Sequence, residues 1–184
     1  MMSREHSSWI NSLLTNLESS GPEAAAAAEY LRWRHTRVSV YAQTTGARWT
    51  ADRRIEIHPR YAELAADDPY VISLVIHEVR HLQQGQFTAL SVYGELEAWH
   101  LQFGYLKKAT GIYQPDPRRD DLIDELMHVP LNQERSALEQ ARRLMQAFAG
   151  KKYRIDLLPL YPLPAEIRYQ VTRKETLPPR WRNV

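Results

Sequence analysis

The sequence predicts a mostly helical α+β fold, in which a small antiparallel sheet precedes two long helices. Three observations carry that prediction. The chain has 184 residues, 43% of them hydrophobic and 25% charged, which suits one domain with one core. Most segments repeat their apolar residues at helical spacing, and only two short stretches near the first third alternate as strands.

The elements follow in order. Trp9, Ile10, Leu13, Leu14 and Leu17 fall at helical spacing over 7–17. Ser20-Gly21-Pro22 breaks that helix, and Pro22 suits the first turn of a second one over 23–34, where five alanines run together. Arg37 to Tyr41 and Arg53 to His58 each alternate as half-buried strands, and Thr44-Thr45-Gly46 supplies turn chemistry between them, so an antiparallel pair is expected. Pro59 cannot donate a ladder hydrogen bond, which ends the second strand or places it at an edge. Asp67-Asp68-Pro69 reads as a capped helix start and Gly85 as its terminator. Further helical patterns cover 88–108, 120–128 and 131–149, with a polar loop over 115–119 and Gly150 closing the last. Residues 1–150 are read as a single domain. Residues 151–184 hold five of the eleven prolines and are expected to be extended, with strand patterns at Tyr153 to Leu157 and Ile167 to Val171.

Composition removes several classes of function. There is no cysteine, so disulfide frameworks, thiolate metal sites and thiol nucleophiles are excluded. No apolar run approaches the roughly 20 residues of a membrane span, and the first residues lack the apolar core of a secretory signal; the expectation is a cytoplasmic protein with no membrane partner. The net charge of +2 is too small to argue for nucleic acid. The last 34 residues carry a net +5 and the body −3, which allows a basic tail to fold back over its own domain.

Chemistry concentrates in Tyr70 to His81, YVISLVIHEVRH. Tyr70 to Ile76 is apolar apart from Ser73, so this helix is buried on most sides, yet it carries two histidines and a glutamate. His77 and His81 are four apart, which puts both imidazoles on one helix face, where they can chelate one Zn2+ ion. Glu78 lies one step round and can act on a metal-bound water as general base. With seven histidines and fourteen glutamates in the chain, chance supplies His-Glu-x-x-His about 0.02 times, so the signal is specific. A third ligand is expected on the next helix. Glu95 lies beside the stripe of Val92, Leu96, Trp99 and Phe103, and an acid on an inward face needs a partner; Glu97 points elsewhere and is expected to be a solvated charge. Glu95 is therefore preferred, with Glu97 the alternative. His58 is read as a surface histidine.

At these residues the chain resembles the zincin metallopeptidases, and more narrowly the gluzincins, over about residues 37–105. That family pairs His-Glu-x-x-His with a downstream Glu, often in a Glu-x-x-Ala context, here Glu95-Leu96-Glu97-Ala98. The resemblance implies one zinc per chain held by His77, His81 and Glu95, with Glu78 activating the zinc-bound water to hydrolyse a peptide bond. It implies a peptide or protein substrate paired along a sheet edge, for which Ile55, Glu56 and Ile57 are the matching candidates. Many relatives carry Asp four residues after the third ligand, where Trp99 stands here. An oxyanion-stabilising Tyr or His is implied but not singled out among Tyr93, Tyr105, Tyr153, Tyr161, His100 and His128. The alternative is a catalytically silent zinc-binding or protein-interaction domain, and the tail over Tyr153 to Pro164 is a candidate to lie in the cleft and inhibit it.

Overall fold

The computed structural model describes residues 4–132, 134–150 and 153–173. Among these, the chain is mostly helical with one small mixed sheet, an α+β fold. Helices α1 (Arg4–Ser19) and α2 (Pro22–Trp33) pack on each other, and α2 also packs on the long helix α4 (Pro69–Gln84). Leu13 and Leu17 of α1 and Ala24, Ala27, Ala28 and Leu31 of α2 are buried in the shared core. Small alanine side chains let α2 approach its neighbours closely, while its high helix propensity keeps it straight.

The sheet departs from the expected antiparallel pair. Strand β1 (Arg37–Val40) runs parallel to β3 (Arg54–Ile57), in the register Val38 opposite Ile55. A third strand, β2 (Ala47–Trp49), pairs antiparallel with the other side of β3, giving the order β1-β3-β2. The tight turn therefore lies at Thr50 to Arg53, where Thr50 Oγ1 donates to Asp52 and accepts from the Arg54 amide. Alternation reports which face a side chain takes, not which strand it pairs with. The segment after Tyr41 has enough chain to cross to the far edge before β2 begins. Consequently Ile55, Glu56 and Ile57 are not an edge. They form the central strand, buried on all three residues, and Glu56 is bound by Arg48 of β2. The expectation that they pair with substrate is corrected; the edges are β1 and β2.

Past β3, His58 caps the short helix α3 (Pro59–Ala62) by accepting from the Arg60 amide. Asp68 caps α4 by accepting from the Tyr70 amide at 2.8 Å, with Pro69 in the first turn as expected. Gly85, at φ +74°, ends α4. The expected single helix over 88–108 is two elements, α5 (Gln86–Ala89) and α6 (Val92–Thr110), because Ser91 intervenes as an N-cap that accepts from the Gly94 amide. The link is short enough to fold α6 back along α4, and these two helices share the most extensive packing in the molecule.

Helix α7 (Pro117–Met127) starts inside the expected polar loop, because Asp116-Pro117 is itself a cap and first turn. Helix α8 (Arg135–Ala149) starts later than expected and ends at Gly150. The described part of the tail, 153–173, is not extended. A 3-10 turn (Ile155–Leu157) and helix α9 (Leu163–Thr172) replace both expected strands. Pro162 and Pro164 stand at the start of α9, where a missing amide hydrogen is harmless. Between them and α8 the backbone braces α6: Pro159 O accepts from the Val92 amide and Leu160 O from the Tyr93 amide. Those donors belong to a helix first turn and would otherwise lack partners. The basic residues of 174–184, and Lys151 and Lys152, lie outside the described residues.

Gly94 fixes how closely α6 can sit against α5. A Cβ placed there would come 2.0 Å from the Thr88 carbonyl oxygen, a backbone atom that cannot rotate away. Gly94→Ala should lower stability by about 3 kcal/mol in urea unfolding; an unchanged midpoint would show that this approach is not constrained.

Candidate metal centre

The site is built across the α4–α6 seam. The apolar run of α4 buries the helix against its neighbours, so His77, Glu78 and His81 are only 7%, 5% and 2% exposed. Glu95 sits in the first turn of α6, placed there by the Ser91 cap and the tail brace, opposite the last two turns of α4. His81 Nε2 stands 2.9 Å from His77 Nε2, with the rings nearly perpendicular at 82°. Glu95 Oε2 is 3.7 Å from His77 Nε2, and Glu95 Oε1 is 3.5 Å from His81 Nε2. Donors held at about 2.0–2.1 Å round a tetrahedral centre stand roughly 3.3–3.4 Å apart. The three observed separations bracket that value. His77, His81 and Glu95 form a group that could hold a metal ion.

The hydrogen bonds behind this group decide which atoms face it. Gln84 Nε2 donates to the Gly94 carbonyl at 2.9 Å and to Glu97 Oε2 at 2.8 Å. Both amide hydrogens are thus used, and Gln84 Oε1, 3.1 Å from His81 Nδ1, must be an acceptor. His81 therefore carries its proton on Nδ1 and turns the Nε2 lone pair into the cluster. A metal-ligating imidazole needs that tautomer. Trp99 Nε1 donates to Glu95 Oε2 at 3.1 Å and so orients the Glu95 carboxylate.

Glu97, expected to be solvated, is buried instead. It accepts from Arg80 at 3.0 Å, from Gln84 and from the Tyr93 hydroxyl at 2.7 Å. All its charge is satisfied away from the cluster, which leaves Glu95 as the carboxylate beside the imidazoles. Arg80 and Gln84 are not among the residues expected at the site, and Tyr93, expected as an oxyanion candidate, binds Glu97 instead. The signal was present in Arg80 and Gln84, each three residues from a histidine of the motif on the same helix.

The protein's own groups at the cluster each resist carrying charge. Burial, then the neighbouring His81, holds His77 well below the ordinary histidine range. Burial raises the Glu95 carboxyl against the opposing pull of His81 and the Trp99 indole. Burial and then the charge of Glu95 push Glu78 up to about 8, with the Trp49 backbone partly offsetting them. Buried acids and imidazoles that resist charging individually become favourable together once a divalent ion supplies the opposite charge.

His77 and Glu78 open onto a cleft of about 430 Å³. Of the phenols and imidazoles proposed for the oxyanion, only Tyr153 lines it. Burial and then the charges of Glu78 and Glu95 raise its phenol. Tyr93 is bound to Glu97, Tyr105 and Tyr161 are buried in the core, His100 faces the Leu126 carbonyl, and His128 lies at the exposed end of α7. The rest of the described tail does not run along the cleft, so an extended inhibitory strand is not what the tail forms.

No protein-family model, curated protein or solved structure matches the chain. What the structure defines is a helical α+β protein with a candidate site for one metal ion. Among the described residues, no helix is long and apolar enough to cross a membrane.

The raised Glu78 carboxyl has a measurable consequence in metal-free protein. An acid whose folded pKa lies above its unfolded value of about 4.5 binds protons more readily when folded, so stability is lost as pH rises from there towards 8. Glu78→Gln should remove that loss, on the order of 3 kcal/mol at pH 8 and little at pH 5. Thermal melts of metal-free wild type and variant at both pH values check this. An equal difference at both would contradict it.

Proposed function

We propose that the chain is a zinc-dependent metallopeptidase. One observation carries the reading: two imidazole Nε2 atoms and one carboxylate converge within bonding reach of a common point, on the wall of a cleft that Glu78 also lines. Two histidines and a glutamate form a donor set of catalytic zinc, and three protein ligands leave a fourth position for the reacting water. When bound, zinc would supply the Lewis acidity that lowers the pKa of a water and polarises a scissile carbonyl.

The chain's own residues would do the rest. Glu78, an isolated carboxylate with no arginine or lysine partner among the described residues, takes the proton of the attacking water and delivers it to the leaving amine. Its position next to His77 but not in the ligand group suits a base rather than a ligand. Tyr153 donates its phenolic hydrogen to the developing oxyanion; a phenol raised by the surrounding carboxylates keeps that hydrogen at neutral pH. Strand β2 replaces β3 as the edge that could pair with a substrate backbone. It packs on α4, and its Trp49 ring lies 6.3 Å from the His81 ring.

Bound zinc and hydrolysis of a mixed peptide library, measured on the same preparations, test the proposal. His77→Ala and Glu95→Gln should lose most bound zinc. Glu78→Gln should keep it while kcat falls by about 10²- to 10⁴-fold, and Tyr153→Phe should keep it with a smaller fall in kcat. Full zinc in wild type with no cleavage of any peptide would instead favour a catalytically silent zinc-binding domain. Undiminished zinc in His77→Ala would end the metal assignment.

A further inference from the structure

The cleft that reaches His77 and Glu78 has a charge pattern that the hydrolytic machinery does not use. Two arginines line it, Arg60 from α3 and Arg119 from α7, while Glu78 is its only acid among the described residues. Neither guanidinium forms an ion pair with a described carboxylate, although other surface arginines do, with Arg32, Arg48, Arg54 and Arg135 each bound to one. Instead each is laid on an aromatic ring of the same cleft wall. The Arg119 guanidinium carbon is 4.2 Å from the Phe148 ring centroid, and that of Arg60 is 4.7 Å from the Tyr61 ring, with an Arg60 nitrogen donating to the Tyr61 hydroxyl at 3.0 Å. Ring stacking fixes the plane of a guanidinium and leaves its edge donors free for a carboxylate. Arg60 and Tyr153 line the same cleft as His77 and Glu78.

We propose that this cleft selects peptides carrying a carboxylate near the scissile bond, captured by Arg60 and Arg119. The inference rests on the metallopeptidase reading and names its substrate class. The carboxylate comes either from an acidic side chain or from a free C-terminus; both present two oxygens to the guanidinium edge. Apart from Glu78 and His77 the described remainder of the wall carries no titrating acid or imidazole, and long Arg side chains on exposed elements can follow either source.

Three succinyl hydroxamates, which combine a metal-chelating head with a peptide tail, separate the possibilities. Their tails are Leu-Gln-amide, Leu-Glu-amide and Leu-Gln with a free carboxylate. Binding to zinc-loaded wild type and to Arg60→Gln/Arg119→Gln is measured by calorimetry at low salt. At least one anionic probe should bind wild type about tenfold tighter than the neutral one, and the double variant should shrink that ratio below about twofold while leaving neutral-probe affinity unchanged. Whichever anionic probe gains identifies the carboxylate source. Equal affinity of all three for wild type overturns the charge selection while leaving the metal reading intact, as does a preference that survives in the double variant. Failure of every probe to bind zinc-loaded protein overturns the metallopeptidase reading and this inference with it.

Discussion

Two histidines and two glutamates buried at the seam of α4 and α6, with Glu95 half-buried beside them, are the constraint on which the remaining structure turns. Such groups resist burial unless each finds a partner. Glu97 is fully provided for by Arg80, Gln84 and Tyr93. His77, His81 and Glu95 are not: their nearest polar neighbours are largely each other, and all three offer lone pairs to the same small volume. One metal ion at their common point is a partner that all three could share. The hydrogen-bonded network around Glu97 then acquires a purpose. It ties the end of α4 to the start of α6 and, through Gln84, sets the tautomer of His81.

The surrounding fold serves that seam. The Ser91 cap, the close approach at Gly94 and the two carbonyls of the tail together fix the first turn of α6, which is the turn that carries Glu95. The segment around Pro159 and Leu160 is therefore a structural brace for the helix that carries Glu95, although the prolines nearby suggest a loose extension. Strand β2 brings the Trp49 ring and backbone to the other side of His81 and Glu78, so the sheet closes the site as well as bordering it.

The metal group was legible in the sequence because its grammar is local. His77 and His81 are separated by one helical turn, and α4 announces itself through Asp68, Pro69 and Gly85. Choosing Glu95 over Glu97 was legible only in part. A single apolar stripe was assumed for α6, whereas the start of that helix is buried nearly all round, from Val92 to Trp99 apart from Glu95 itself. Both acids point inward, and Arg80 is what draws Glu97 away. Strand pairing was not legible: alternation in 37–41 and 53–58 is the same for parallel and antiparallel neighbours, and the three residues of β2 are too few to show a period. The helix α9 was hidden because proline reads as a breaker, although Pro162 and Pro164 stand where a helix begins.

The most direct test of this account is a crystal grown with zinc and measured on both sides of the zinc absorption edge. The account predicts one strong anomalous peak per chain, about 2 Å from His77 Nε2, His81 Nε2 and a Glu95 carboxylate oxygen. A peak bound elsewhere, or none at that point despite excess zinc, would contradict it.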